Sequence, residues 1–372
     1  MSLRIGVNAL YLIPGGVGGT EIYLRCLLSA LARVDAANRY LVFTNRETGP
    51  ELVPKAANFT WMPQPIAAVS RPARMLWEQI ALPLQAARSR LDVLFNPGFT
   101  APVFCGCPMV TVFHDLQHKR HPEYFRWFEH PFWRIFLFAA AHRSERLIAV
   151  SDATAADLRA VYRLPASAIT VAPHGVDLEF FRLQRRPASP PYLLCVSTLH
   201  PHKNLERLLR AFAIFRRDRP EFRLVLAGMR GFHAEELEKL RGSLGLDEFA
   251  EFTGWIPRER LYELYTGANA FVYPSTFEGF GMPVLEALAM GLPTACSNIE
   301  PMASVAGDAA LRFDSGDTDA LAEAIRRLTS DEELRARLAA AGPARASNFS
   351  WESTASTTLA ALFRAAGLTC EL

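Results

Sequence analysis

Lysine is scarce in this sequence of 372 residues, and charges of opposite sign almost cancel. Lysine and arginine together number 40 and aspartate and glutamate 38, which gives a formal net charge of +2. Proteins that bind nucleic acids usually carry a strongly basic surface, so this balance disfavours a nucleic-acid partner. The only lysines are Lys55, Lys119, Lys203 and Lys239. A lysine within a motif is therefore conspicuous.

Long apolar runs and clustered cysteines are also missing. No apolar run approaches the roughly 20 residues of a transmembrane helix, and Leu3–Leu10 is predicted to be a first strand because no cleavable leader pattern follows Arg4. The six cysteines are scattered, and Cys105-Gly106-Cys107 lacks the second pair that a zinc site needs. These absences predict a soluble cytoplasmic protein with reduced thiols and no metal site.

Short apolar runs alternate with amphipathic helical segments along the chain. Helical spacing is clear in Glu21–Val34 and in Leu205–Phe215. The apolar runs indicate buried strands at Tyr40–Thr44, Val93–Asn96, Val110–Phe113, Leu147–Val150, Ile169–Ala172, Leu193–Ser197, Leu224–Ala227, Ala270–Tyr273 and Thr294–Ser297. This alternation predicts an α/β protein with parallel sheets covered by helices on both faces.

A polar, proline-rich stretch divides the chain into two halves. It runs from Arg182 to Pro191 and lies between two predicted strands. We predict a first domain over residues 1–181, a linker over 182–191 and a second domain over 192–348. In the remaining residues, 349–372, a helical pattern extends from Trp351 to about Arg364.

The most informative stretch is Phe277–Glu286, where a predicted strand is followed by a glycine turn and the start of a helix. Pro283 suits a first helical turn, where its missing N–H costs nothing. The N–H groups of such a turn point outward with the positive end of the helix dipole behind them, which favours a phosphate. Glu278 precedes the turn. Glu286 is placed inside the first helical turn, where its carboxylate can accept hydrogen bonds from a ribose diol.

A glycine loop, Gly15–Gly19, follows the first predicted strand. It does not fit the dinucleotide pattern G-x-G-x-x-G because Glu21 occupies the last glycine position, and the chain has no P-loop. The loop is either a tight connector or a place where a diphosphate or acceptor approaches bare backbone while Thr20 caps the next helix.

Two further strand ends carry candidate functional residues, as expected where ligands bind in open parallel sheets. His114-Asp115 follows one predicted strand, and Ser197–Asn204 brings Lys203 to the start of a helix. Without further context, these two residues need not be functional. His114 can be a structural residue that makes a hydrogen bond, and Lys203 can be a solvated cation.

The segment Phe277–Glu286, with Ala287–Pro293 after it, resembles the E-x7-E signature of family four of the retaining glycosyltransferases. Those enzymes use nucleotide sugars and have the GT-B fold. The resemblance implies two doubly wound, Rossmann-like parallel-sheet domains that face an interdomain cleft. It implies that the first domain binds the acceptor, that the second binds the nucleotide sugar, and that the last helix crosses back to the first.

The resemblance also implies roles for particular residues. Lys203 matches the lysine that neutralises the pyrophosphate of the donor, Glu278 and His114 match residues that position the sugar, and Glu286 matches the ribose anchor. We predict Glu278, Lys203 and His114 as catalytic. The predicted donor-binding residues are Glu286, Gly281, Phe280, Met282, Ser275, His202, Arg230, Gly254, Ile256, Gly16 and Gly18.

The Lys203 motif departs from the commonest form of the family pattern. Many relatives have an arginine where this chain has Thr198, and mannosyltransferase-like relatives have one where it has His202. Histidine is only partly charged near neutral pH, which makes Arg230 a candidate substitute. The sequence Pro201-His202-Lys203-Asn204 still favours GDP-mannose as the donor.

We therefore predict a retaining, metal-independent glycosyltransferase that moves a hexose-type sugar from a GDP- or UDP-sugar to a glycan or lipid-linked acceptor in cell-surface polysaccharide or glycolipid synthesis. No cofactor is implied beyond this donor. Two interpretations stay open: a nucleotide-sugar-binding module that has lost turnover, and an epimerase or glycogen-phosphorylase-like enzyme on the same fold. The aromatic and basic segment Glu123–Arg134 fits either contact with the inner face of a membrane or a core helix with a basic solvent face.

Overall fold

The structure is a computed structural model that describes residues 2–124, 127 and 130–368. It consists of two compact units, one formed by the described parts of Met1–Gly175 and Trp351–Leu372 and the other by Val176–Ser350. Each unit contains one parallel sheet with helices around it, which confirms the predicted α/β class.

The first unit is built on a seven-stranded sheet. Its strands are β1 (Arg4–Asn8), β2 (Arg39–Thr44), β3 (Phe59–Pro63), β4 (Val93–Asn96), β5 (Met109–Phe113), β6 (Arg146–Ala149) and β7 (Ile169–Val171), in the order β3-β2-β1-β4-β5-β6-β7. Its helices are α1 (Gly19–Val34), α2 (Arg71–Arg88), α3 (Gln117–Arg120), α4 (His130–Arg143) and α5 (Asp152–Tyr162). Apolar side chains of α2, α4 and α5 pack in one cluster with strand residues such as Phe113.

The second unit is built on a six-stranded sheet. Its strands are β8 (Tyr192–Val196), β9 (Arg223–Ala227), β10 (Ala250–Gly254), β11 (Ala270–Tyr273), β12 (Thr294–Ser297) and β13 (Leu311–Phe313), in the order β10-β9-β8-β11-β12-β13. Its helices are α6 (Glu179–Arg182), α7 (Leu205–Arg216), α8 (Ala234–Ser243), α9 (Arg258–Gly267), α10 (Met282–Ala289), α11 (Met302–Ala306), α12 (Thr318–Ser330) and α13 (Glu332–Ala346). The strand order reverses between β8 and β11, and ligands of doubly wound sheets bind beyond the carboxyl ends at such a point.

The last helix, α14 (Trp351–Ala365), belongs to the first unit. The ring of Trp351 lies 5.9 Å from that of Tyr23 in α1, and Thr354 Oγ1 donates to the carbonyl of Pro173 at 2.6 Å. After the second unit, the chain thus returns to the first.

The predicted linker 182–191 is part of the second unit. The N–H of Arg186 donates to Thr266 O at 2.8 Å and that of Ala188 to Gly267 O at 2.9 Å. The boundary between the units falls earlier, between Gly175 and Val176. Proline content marked the segment as irregular, but backbone hydrogen bonds hold it against α9.

Three strands, β3, β10 and β13, are absent from the predicted set. All three lie at sheet edges, and each has partly exposed residues instead of a continuous buried run. An edge strand is covered less completely than a central one, so its sequence carries a weaker apolar signal.

The structure describes only part of the aromatic and basic segment Glu123–Arg134. Residues 125, 126, 128 and 129 lie outside the described residues, and α4 begins at His130. None of the described helices combines the length and the apolar character needed to cross a bilayer.

Candidate functional site

Two loops meet at the switch point of the second sheet, one after β8 and one after β11. The first is the 3-10 turn Pro201–Lys203. The carbonyl of His202 accepts hydrogen bonds from Ser275 Oγ at 3.0 Å, from the Thr276 N–H at 2.8 Å and from Thr276 Oγ1 at 3.1 Å. Asn204 Nδ2 adds a bond to Pro274 O at 3.1 Å. The second loop is therefore fixed on the first.

These bonds bring Lys203 to Glu278. Lys203 Nζ lies 2.6 Å from Glu278 Oε1, and the two side chains are only 14% and 10% exposed. The same ammonium group donates to the Tyr273 hydroxyl at 3.3 Å. Burial, followed by the negative charge of Glu278, raises the pKa of Tyr273 well above its usual value, so this phenol stays neutral. A nearly desolvated cation thus lies beside a carboxylate at the carboxyl end of the sheet.

Helix α10 begins beside this pair. Its N-cap is Gly281, at φ +99°, where a side chain is strained, and a Cβ there would lie 3.1 Å from Met302 Cγ. Gly281 is followed by Met282 and Pro283, so the helix starts as predicted with its N-terminus at the loop. Glu286 lies deeper than predicted: it is the fifth residue of α10, beyond the first turn, because the helix begins at Met282.

Glu286 is the centre of a buried polar network. Tyr265 Oη donates to Glu286 Oε2 at 2.9 Å, and Arg258 Nη1 lies 3.4 Å from Oε1. Arg258 also donates to Asp177 Oδ2 at 2.9 Å, and Tyr262 Oη donates to the same oxygen at 2.6 Å. Burial raises the pKa of Glu286, while Arg258 opposes the rise. The carboxylate is therefore held in one orientation by an arginine and a phenol.

The sequence analysis missed the residues that hold Glu286. Arg258, Tyr262 and Tyr265 lie at positions i, i+4 and i+7 of α9, so they share one face of that helix. This spacing could have indicated a polar face on α9. No sequence pattern within α9, however, indicates that this face contacts a glutamate on α10.

Three other predicted donor-binding residues of the second unit contact neighbouring protein groups. Ser275 is fully buried and its hydroxyl bonds to the His202 and Phe277 carbonyls, so it shapes the loop. The imidazole of His202 is buried and stacks on His200, with ring centroids 5.9 Å apart. The Arg230 guanidinium, predicted as a substitute cation, pairs with Glu238 at 2.5 Å on the exposed surface. Lys203 is the predicted cation that lies next to Glu278.

The predicted pair Gly254 and Ile256 follows β10. Gly254 has φ +70°, and its carbonyl accepts from the Gly228 N–H at 3.1 Å. A Cβ on Gly228 would lie 2.2 Å from Ser197 O. The ends of β8, β9 and β10 therefore approach too closely for a side chain at Gly228. Ile256 is half-buried in the connection to α9.

His114 lies in the first unit, at the end of β5. Its Nε2 lies 2.9 Å from Pro97 O, and its ring packs edge-on against Tyr23 at a centroid distance of 4.7 Å. Burial lowers the pKa of His114 to about 4, so the imidazole is neutral near pH 7. A carbonyl oxygen can only accept, so Nε2 carries the proton and Nδ1 is left as an acceptor.

In the glycine loop of the first unit, two main-chain N–H groups donate hydrogen bonds within the protein. The Gly15 N–H donates to Glu21 Oε2 at 2.8 Å, and the Gly16 N–H donates to Ile13 O at 2.8 Å. Gly18, at φ +60°, is the N-cap of α1. The prediction that Thr20 caps this helix is wrong, because Thr20 is already helical and its hydroxyl donates to Val17 O at 2.9 Å.

Metal-ligand geometry is not found in the described residues, where no three or more histidine, cysteine or acidic side chains converge. The sequence Asp317-Thr318-Asp319 has an Asp-x-Asp pattern. There, Asp317 Oδ1 accepts from the N–H groups of Asp319 and Ala320 and caps α12.

Comparisons with known proteins cover both units. The profile of glycosyl transferases group 1 matches residues 177–345, and that of glycosyltransferase family 4 matches residues 17–180. O-antigen chain mannosyltransferase B of Escherichia coli is 32% identical over 268 residues, which are 67% of this chain and 68% of that protein.

Solved structures match almost the whole chain. Sucrose-phosphate synthase from Thermosynechococcus elongatus has a TM-score of 0.78 at 21% identity, over 97% of this chain and 98% of that one. HepE of Anabaena, solved with UDP and glucose, has a TM-score of 0.74 at 20% identity, over 96% and 98% of the two chains.

Proposed function

Because this chain belongs to the glycosyl transferases group 1 family, we propose that it is a retaining enzyme that moves a hexose-type sugar from a nucleoside-diphosphate sugar to an acceptor hydroxyl without a metal ion. Its two Rossmann-like parallel-sheet units form the GT-B fold. The observation that carries the proposal is the contact between Lys203 and Glu278 beside the start of α10.

This arrangement suits the departure of a diphosphate. As the bond to the sugar breaks, negative charge grows on the leaving group and positive charge grows on the sugar ring. Lys203 and the main-chain N–H groups around Gly281 would stabilise the first charge, since preorganised donors need no rearrangement during reaction. The carboxylate of Glu278 lies within reach of the same ammonium group and would stabilise the second.

Glu286 is the proposed ribose anchor. Tyr265 contacts one of its oxygens and Arg258 the other, and each carboxylate oxygen can accept more than one hydrogen bond. A ribose diol would use that remaining capacity. In the first unit, His114 is the proposed contact to the transferred sugar, with neutral Nδ1 as its acceptor atom.

The donor and acceptor are proposed at the level of class. The name of the mannosyltransferase at 32% identity supports transfer of a mannosyl group and a glycan acceptor in cell-surface polysaccharide synthesis. The sequence Pro201-His202-Lys203-Asn204 favours GDP-mannose as the donor. HepE was solved with UDP, which keeps UDP-sugars in the set to be tested. Relatives are thought to transfer on the face from which the phosphate departs, so no separate base is required.

A panel of sugar nucleotides, scored by thermal shift, tests the donor site. A ligand that binds the native state raises its melting temperature by mass action, and we expect at least one GDP- or UDP-sugar to do so. Lys203→Ala should abolish the shift, whereas the matched control Lys239→Ala, at an exposed lysine of α8, should keep it. A shift of wild-type size in Lys203→Ala would refute the phosphate role.

Turnover separates the proposal from a binding module that has lost activity. A glycosyltransferase releases nucleoside diphosphate faster when acceptor is present, and the anomeric configuration of the product, read by NMR, tests retention. Donor-dependent stabilisation without transfer to any glycan would favour the binding module, an alternative motivated by Thr198 and His202.

A further inference from the structure

Two thiols of the first unit lie in contact. Cys105 and Cys107 belong to the connection between β4 and β5, and their Sγ atoms are 3.5 Å apart. Residues two apart in an extended segment are separated by about 6.6 Å, so these side chains turn toward each other. Both are free thiols, and the proposed sugar transfer gives them no role. The S–S bond of a disulfide is about 2.0 Å long, so a small movement of the two sulfur atoms would allow that bond to form.

The loop that carries these thiols is anchored on both sides. The Val103 N–H donates to Gln79 Oε1 at 2.8 Å, and Gln79 Nε2 donates to Ala101 O at 3.1 Å. On the other side, the carbonyl of Pro108 accepts from the Leu94 N–H at 2.9 Å. The short stretch between these anchors therefore keeps the two cysteines close together.

Gly106, between the two cysteines, is not required by the reduced fold. Its φ lies outside the left-handed region, and a Cβ added there would meet no atom within 4 Å. A disulfide between Cys105 and Cys107 closes a small ring, and the residue inside that ring has to adapt its backbone angles. Glycine has the widest choice of φ and ψ. The sequence Cys105-Gly106-Cys107 therefore suits ring closure, although the reduced fold would accept a side chain at its centre.

The two thiols differ in their readiness to ionise. The hydrogen bond from the Cys107 thiol lowers the pKa of Cys105, burial opposes this change, and the N–H groups of Cys107 and Gly106 lower the pKa further. The same bond between the thiols raises the pKa of Cys107, as burial does. By contrast, burial raises the pKa of both Cys195 and Cys296 to about 12. Because the thiolate is the nucleophile in thiol–disulfide exchange, Cys105 is the attacking group.

The surroundings of the pair favour a small reagent. Phe104, Gly106 and Pro108 are exposed, whereas the two cysteines are half-buried and pack against the apolar cluster of the unit. Within the described part of the chain, no group of three or more histidine, cysteine or acidic side chains converges here. A structural zinc ion takes four ligands. The pair is therefore better suited to form a disulfide than to hold a metal ion.

We propose that Cys105 and Cys107 form a reversible exchange site for low-molecular-weight disulfides. The Cys105 thiolate attacks one sulfur of the small disulfide, a mixed disulfide forms, and one small thiol leaves. Cys107 then gives up its proton and attacks Cys105 Sγ, so that the protein disulfide forms and the second small thiol leaves. Counted from two protein thiols, two electrons and two protons pass to the small disulfide. An excess of small thiol reverses both steps.

Oxidised glutathione is the probe for this site. The reduced full chain is incubated with an excess of it near neutral pH, and the remaining thiols are then blocked by alkylation. Peptide mapping should find the tryptic peptide 91–119, which contains both cysteines, lighter by two hydrogen atoms and without glutathione. This reaction should be roughly tenfold faster, or more, than glutathione addition to Cys26, a half-buried thiol of α1. An excess of reduced glutathione should restore both thiols.

Single serine variants separate the two roles. In Cys107→Ser, the mixed disulfide on Cys105 should accumulate, because no second thiol displaces the glutathione. In Cys105→Ser, Cys107 should react more slowly by roughly tenfold or more, since it is the less ionised thiol. Cys26→Ser is the matched control and should form the disulfide like wild type. If a serine variant fails to fold, the time course of wild type tests the same order, because the mixed disulfide on Cys105 should precede the protein disulfide.

The proposal is overturned if peptide 91–119 keeps both thiols, or if it carries a stable glutathione adduct instead of the internal disulfide. It is also overturned if reduced glutathione does not reverse the reaction, or if Cys107 reacts as fast in its single-thiol variant as Cys105 does in the other. No sugar nucleotide is present in these measurements, so a failure here is distinguishable from a failure of the proposed function.

Discussion

Glu278→Gln is expected to tighten the binding of nucleoside diphosphate while it slows sugar transfer. In the free protein, the Lys203 ammonium group donates to a carboxylate at 2.6 Å, so an incoming pyrophosphate must compete for it. The attraction between two unit charges about 4 Å apart is about 1 kcal/mol in water and larger where solvent is excluded, so replacing the carboxylate by a neutral amide should weaken this competition by about 1 kcal/mol or slightly more. Since about 1.4 kcal/mol is tenfold in affinity, the dissociation constant of GDP or UDP should fall roughly five- to tenfold.

Titration calorimetry with GDP and UDP, together with acceptor-dependent turnover, measures both effects. Glutamine has nearly the volume of glutamate, so the fold should be kept, but the charge that stabilises the sugar cation is gone and turnover should fall about 100-fold or more. Glu238→Gln is the matched control, because Glu238 pairs with Arg230 at the surface. Unchanged or weaker diphosphate binding in Glu278→Gln would refute the view that Glu278 holds Lys203 back from the phosphate.

Two further predictions follow from buried groups. The pKa of His114 is lowered from 6.5 to about 4, so its contribution to stability, at most about 3 kcal/mol, is present above pH 6.5 and is lost as the pH falls through 4. Between pH 7 and pH 4.5, urea unfolding should therefore show a smaller loss of stability in His114→Gln than in wild type. Part of the loss should remain in the variant, because the pKa of His118 is also lowered to about 4. Equal losses in the two proteins would contradict a buried neutral imidazole at His114. Wild type should bind a nucleoside diphosphate roughly tenfold more tightly than its 2′-deoxy form, and Glu286→Gln should reduce that ratio, since bonds to a charged acceptor are the stronger ones; an unchanged ratio would remove Glu286 as the ribose anchor.

Central strands were predicted well because they are buried on both faces. Val93–Asn96 and Ala270–Tyr273, for example, are apolar at every position except Asn96, and the structure has strands with these same bounds. Their edge counterparts, such as β13, are short and partly exposed, so their residues do not form such a run. Loop chemistry was harder to predict: Thr20 has the residue type of an N-cap, but the positive φ of Gly18 starts α1 earlier.

What the sequence determined by itself is local. Gly281 and Pro283 specify a turn and the start of a helix, because φ preferences and the missing proline N–H act on the residue itself and its neighbours. The tertiary structure alone decided which side chains meet. Lys203 contacts Glu278 across 75 positions and Arg258 contacts Glu286 across 28, and both contacts depend on strand order and helix packing, which no local pattern encodes.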